Sequence, residues 1–139
     1  MRVTFYEEGT KVGCVDVPED VIKQLALQLE NYIADAEIDS DGTKWLNITE
    51  DITIDKTNIE FTCEVQFDCA CWSQTDRGDN ETPSNYHAWL EIKNVGVVFY
   101  DCTAYLSNGK ECECAITKTS DLERAISRTI TTADYDYWG

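Results

Sequence analysis

The sequence predicts an α+β fold: an antiparallel sheet of about five to seven strands with two helices packed on one face, in the chain order ββα-ββ-ββ-α. Three observations carry this. In the segment Ile59–Trp72, apolar and polar residues alternate with period two, as in a strand buried on one face only. Glu19 to Ala36 instead repeats its apolar residues at helical spacing. Turn-forming residues then separate short alternating runs at hairpin distances.

Taken in order, Arg2 to Glu7 and Lys11 to Val17 read as two strands of a hairpin around Gly9. Pro18 suits a first helical turn, and Glu19 and Asp20 complement the positive end of the helix dipole. Ile22, Leu25, Leu29, Tyr32, Ile33 and Ala36 supply the apolar stripe of a helix over about 19–36, which needs a sheet to cover. After the loop Asp39–Gly42, a four-residue turn, Asp55 to Asn58, would pair Ile54 with Ile59 and Ile52 with Phe61.

In the following strand Ile59, Phe61, Cys63, Val65, Phe67, Cys69 and Cys71 share the buried face, and Glu60, Thr62, Glu64, Gln66 and Asp68 share the other. Ser73 to Asn85 is polar and reads as the longest loop. Tyr86 to Lys93 resumes a strand with Tyr86, Ala88, Leu90 and Ile92 in phase. Asn94-Val95-Gly96 fits a turn or a bulge. For the last hairpin, a three-residue loop, Ser107 to Gly109, pairs Ala104 with Cys112, Cys102 with Cys114 and Tyr100 with Ile116. A two-residue turn would set buried positions against glutamates. Ser120 with Glu123 forms a capping box, and Leu122, Ala125, Ile126 and Ile130 suggest a short helix. The tail from Thr131 reads as an edge strand or a docked segment.

The length of 139 residues fits one domain, 1–139, able to bury a core without disulfide staples. The first residues contain no apolar run resembling a signal peptide, and no segment is long and apolar enough for a membrane helix. A cytoplasmic setting with reduced thiols is the expectation, and the odd count of 7 cysteines agrees with it. In that setting the sequons at Asn47 and Asn80 and the Arg77-Gly78-Asp79 triplet carry no extracellular meaning.

With 27 acidic against 11 basic residues and a net charge of −16, the chain repels phosphates. Direct binding to nucleic acid or to an anionic membrane is therefore not expected. Catalysis is not expected either: His87 is the only histidine, and no phosphate-cradling loop or nucleophile elbow is present. No cofactor is implied. Cys102, Cys112 and Cys114, joined by Cys69 and Cys71 if their strand is a neighbour, could hold zinc, but they face the core at C-x-C spacing. Glu37-x-Asp39-x-Asp41-Gly42 begins like a calcium loop and then fails, since Ile48 stands where the bidentate glutamate is required.

The distribution of the acids is the functional signal. Glu30, Asp35, Glu37, Asp39 and Asp41 crowd a helix C-terminus, where cations are favoured, without an intervening lysine or arginine. Glu60, Glu64, Asp68, Glu91, Glu111 and Glu113 are placed on the outer sheet face, relieved mainly by Lys93 and Lys118, with Trp72, Trp89 and Tyr105 as aromatic anchors among them. Negative charge also aids solubility, and that alone could account for it. The charge pattern points to a non-catalytic inhibitor or regulator whose partner is a basic, nucleic-acid-binding protein, with carboxylates taking the place of phosphates. In physical character it resembles the small, acidic anti-restriction and anti-CRISPR proteins of phages and mobile elements, many of which mimic DNA; no motif carries the resemblance further. The alternative is a structural or accessory domain stabilised by a metal on the clustered cysteines.

Overall fold

A computed structural model describes residues 1–137. It is an α+β fold with two helices and a seven-stranded antiparallel sheet. The elements are β1 (Arg2–Glu7), β2 (Thr10–Asp16), α1 (Glu19–Asp35), β3 (Gly42–Ile54), β4 (Thr57–Asp76), β5 (Ser84–Tyr105), β6 (Glu111–Thr117), α2 (Ser120–Ala125) and β7 (Thr129–Tyr137). The strands run β2-β1-β6-β5-β4-β3, and β7 pairs with β5. Of the two readings left open for the tail, a strand or a docked segment, the strand is present through Tyr137; Trp138 and Gly139 lie outside the described residues.

The long pair β4–β5 organises the molecule. Along β4, Ile59, Phe61, Cys63, Val65, Phe67 and Cys69 are buried as the alternation requires, and α1 lays Ile22, Leu25, Ala26, Leu29 and Ile33 against the same side. Phe61 and Phe99 meet edge to face with centroids 4.9 Å apart. Burying each such large apolar side chain contributes about 1.5–3 kcal/mol.

β5 carries two one-residue bulges against β4, at Asn94 and Asp101, which adopt the left-handed conformation with φ of 54° and 53°. Each bulge flips which side chains point inward. Leu90 and Ile92 are buried before the first, Val97 and Phe99 face the core between the two, and Ala104 is buried after the second. The segment Asn94–Gly96 is therefore a bulge within one strand of 22 residues. The same flip corrects the expected pairing of Tyr100 with Ile116: Tyr100 pairs with Thr62, lies 39% exposed, and donates its hydroxyl to Asn47 Oδ1 at 2.6 Å.

Other expectations hold in part. Ala104 pairs with Cys112, and Leu106 N–H donates to Lys110 C=O around the loop Ser107–Gly109, with Gly109 at φ 85°. Beyond Glu113, however, β6 leaves β5 and pairs with β1, matching Cys114 to Phe5 and Ile116 to Val3. The β3–β4 turn is Asp55-Lys56 rather than four residues, since Asp55 accepts φ of 53°, and Ile52 faces Ile59. The polar loop shrinks to residues 77–83 because Gln74, Thr75 and Asp76 continue the ladder opposite His87, Tyr86 and Asn85. Tyr32 leaves the apolar stripe, 41% exposed, to donate to Glu50.

The capping box of α2 is not formed. Thr119 precedes the helix without a side-chain cap, and Glu123 instead accepts the Val97 N–H at 2.8 Å. Its carboxylate closes the edge of β5 between the β6 and β7 pairings, where Ile92 N–H also donates to Arg128 C=O. Ile126 and Ile130 are buried but extended, Ile130 within β7. Replacing Glu123 by Ala should leave the partly buried Val97 N–H unsatisfied and lower stability by about 1–3 kcal/mol. Urea unfolding checks this, and an unchanged midpoint would remove Glu123 from the fold's supports.

Candidate acidic face

Both helices pack on one side of the sheet, and the other side is left uncovered. Across it runs a row of directly paired residues, Asp51 (β3), Glu60 (β4), Thr103 (β5) and Glu113 (β6), continued by Tyr6 (β1). Adjacent strands are about 4.8 Å apart, so Asp51 and Glu60 stand as like charges directly opposite, an arrangement that destabilises a sheet. The next row holds Thr53, Asn58, Tyr105 and Glu111. Glu64 and Asp68 follow Glu60 along the same face of β4.

The local partners of these acids are mostly neutral. Glu60 accepts from Tyr105 at 3.2 Å, and Asp51 from Asn58 at 2.7 Å. Asp68 accepts from Thr43 at 2.6 Å and from Asn94 at 2.8 Å, which lowers its pKa from the ordinary carboxylate value, with Lys93 a smaller contributor. Among the described residues none of Asp51, Glu60, Glu64, Asp68, Glu111 and Glu113 forms an ion pair. Beside Glu111 and Glu113 a hollow of about 910 Å³ opens toward the β1–β2 turn, lined also by Tyr6, Glu7, Glu8 and Val12. Trp72 and Trp89 pair across β4 and β5 toward the opposite end, with Trp72 52% exposed. Near them the Nδ1 of His87 meets Asp134 at 2.9 Å.

The helix-end acids form a separate group. Glu30 faces α2 and accepts the Ser127 N–H, and Asp41 accepts the Cys71 N–H at 2.8 Å. Asp35, Glu37 and Asp39 are exposed, and the last turn of α1 carries no basic residue. Glu37 and Asp39 border a groove lined also by Cys71, Trp72, Tyr86, Ala88 and Trp89. The structure thus unites the sheet acids on one face and leaves the helix-end acids off it.

Sequence reasoning omitted three contributors to the open face: Asp51, Trp45 at 62% exposure and Val98 at 65%. The alternation of β3 around buried Ile48, Ile52 and Ile54 was the signal for Asp51 and Trp45. Val98 gave none, because its direction depends on the bulge at Asn94.

The seven cysteines are free thiols. The strand of Cys69 and Cys71 is indeed a neighbour of β5, but Cys69 pairs with Ile92 at the far end of the β4–β5 ladder, on the order of 30 Å from Cys102, so the two sets of cysteines stay apart. Cys114 acts as donor to Cys102, which pulls Cys102 down and, with burial, pushes Cys114 up. Among the described residues no three His, Cys, Asp or Glu side chains are placed to hold a metal ion, so the metal-stabilised alternative finds no ligand set there. No helix among them is long and apolar enough to cross a membrane.

The chain matches no known protein-family model, and neither a characterised protein nor a solved structure matches it. The chemistry of its surface is what bears on function.

Two outcomes follow. Glu60→Gln should raise the melting temperature, more at about 10 mM salt than at about 1 M, because the repulsion with Asp51 is screened; a drop at low salt would mean that the carboxylate supports the fold. Burial pushes the Cys63 thiol up from 9.0 to about 12, so the folded state holds this proton more tightly than the unfolded one. That stabilisation is complete below about pH 9 and is lost as pH rises toward about 12. Urea midpoints should therefore fall less steeply above pH 9 in Cys63→Ala than in the wild type.

Proposed function

We propose that this is a non-catalytic cytoplasmic binding protein that engages a basic, nucleic-acid-binding protein through its open sheet face, as an inhibitor or regulator of the DNA-mimic type. The observation that carries the reading is the row Asp51–Glu60–Glu113 with Glu64, Asp68 and Glu111 around it, acids set on a rigid ladder with no cation paired to them among the described residues.

Rigid carboxylates need no reordering when an arginine- or lysine-rich groove arrives, and the mutual repulsion they carry is relieved by that groove. The hollow ringed by Glu7, Glu8, Glu111 and Glu113 would take a long basic side chain, its stem against Tyr6 and Val12. Trp72 and Trp89 add apolar contact toward the other end. The helix-end acids lie off the paired acid row and contribute long-range attraction.

The test is capture from nuclease-treated bacterial lysate at low salt followed by a high-salt wash, with the captured proteins identified by mass spectrometry. The wild type should retain a nucleic-acid-binding protein that salt releases. A Glu60→Lys, Glu64→Lys, Glu113→Lys variant should lose it while keeping its circular dichroism and melting transition. Retention by the folded variant, or no specific capture by the wild type, would leave the acids as a solubilising skin.

A further inference from the structure

We infer that the free edge of β3 is a self-association surface, on which a second copy of this chain adds its own β3 antiparallel about a two-fold axis at Asn47. β3 is 13 residues long, ends the sheet, and contains no proline or bulge to discourage pairing. Its hairpin closes on the pair Ile54–Thr57 across a two-residue turn, so alternate residues bond to β4. The N–H and C=O groups of Trp45, Asn47 and Thr49 then point away from β4.

The charge pattern selects the occupant. On a chain of net charge −16, the stretch from Gly42 to Thr49 contains no acid and one lysine, Lys44. Beside β3, the row of α1 formed by Val21, Gln24, Gln28 and Tyr32 is itself uncharged, and the acids next to it, Glu50 and Asp51, lie beyond Thr49. A basic partner is drawn to the acidic face, whereas this edge is where two acidic copies can approach with least repulsion.

Register follows from the side chains. With Asn47 opposite its own counterpart, Lys44 faces Glu50 twice, Trp45 covers Thr49, and Leu46 meets Ile48 on the helical side. Shifting the axis to Ile48 sets Lys44 against Ile52, and shifting it to Leu46 sets Asp41 against Asp51. Only the Asn47-centred register among these matches cation to anion and covers the exposed indole of Trp45. The resulting sheet would place the two acidic faces side by side; the inference does not depend on what those faces bind.

Sedimentation velocity over about 1 µM to 1 mM protein at about 0.15 M salt tests this, with the Debye length near 8 Å. The wild type should show a monomer–dimer equilibrium. Lys44→Glu and Glu50→Lys should each weaken it about tenfold or more, and the double exchange should restore it to within a few-fold. Asn47→Pro, which removes a donor on the edge, should abolish the dimer with the circular dichroism retained. Should that variant fail to fold, the charge exchange decides alone. A wild type that stays monomeric throughout, or a dimer indifferent to the Lys44 and Glu50 changes, would overturn the inference.

Discussion

The antiparallel ladder between β4 and β5, interrupted by one-residue bulges at Asn94 and Asp101, is the constraint from which the rest of the structure follows. A strand that alternated without interruption over 22 residues would aim one set of side chains at the core throughout. The bulges exchange that set twice. They admit Val97 and Phe99 to the core, turn Val98 and Tyr100 outward, and coincide with the gap on the other edge of β5. Into that gap comes α2, whose Glu123 accepts the Val97 hydrogen that no neighbouring strand takes up. Two backbone irregularities thus decide both the packing of a helix and the composition of the open face.

Charge divides the surface by task. Glu30, Asp41 and Glu123 are acids only formally part of a skin, because each accepts a backbone N–H and holds two elements together. Asp51, Glu60, Glu64, Glu111 and Glu113 hold no backbone donor across elements and no cation among the described residues. Fixed on strands, they cannot move apart to relax their repulsion as exposed loop acids can. The face therefore stores unfavourable electrostatic energy that a cationic surface would release.

The element order and the outward acids of β4 were legible in the sequence because they rest on period-two and helical spacing, which are local. The register of the last hairpin at Ala104–Cys112 was legible too, since burying Ala104 against a glutamate is costly. What escaped depended on single residues entering φ above zero. Asp55 shortened a turn, and Asp101 reversed the direction of Tyr100; aspartate tolerates this conformation without announcing it. The capping box failed for another reason: Glu123 had a stronger claim on it from a strand 26 residues away in sequence. For the site, the paired row from Asp51 to Glu113 could not be read because it needs the order of four strands, which no local pattern encodes.

Strand order also bears on how the chain reaches this shape. β1 finds its second partner in β6, so that Val3 awaits Ile116, and β5 completes its open edge with β7, the last strand. Contacts so distant in sequence carry a high loop-closure entropy and slow folding. During synthesis the β1–β2 hairpin and most of the acidic face are made long before the sheet can close around them. In that interval the density of negative charge has a second consequence: nascent chains with unpaired edges repel one another, and the hazard of association before completion falls.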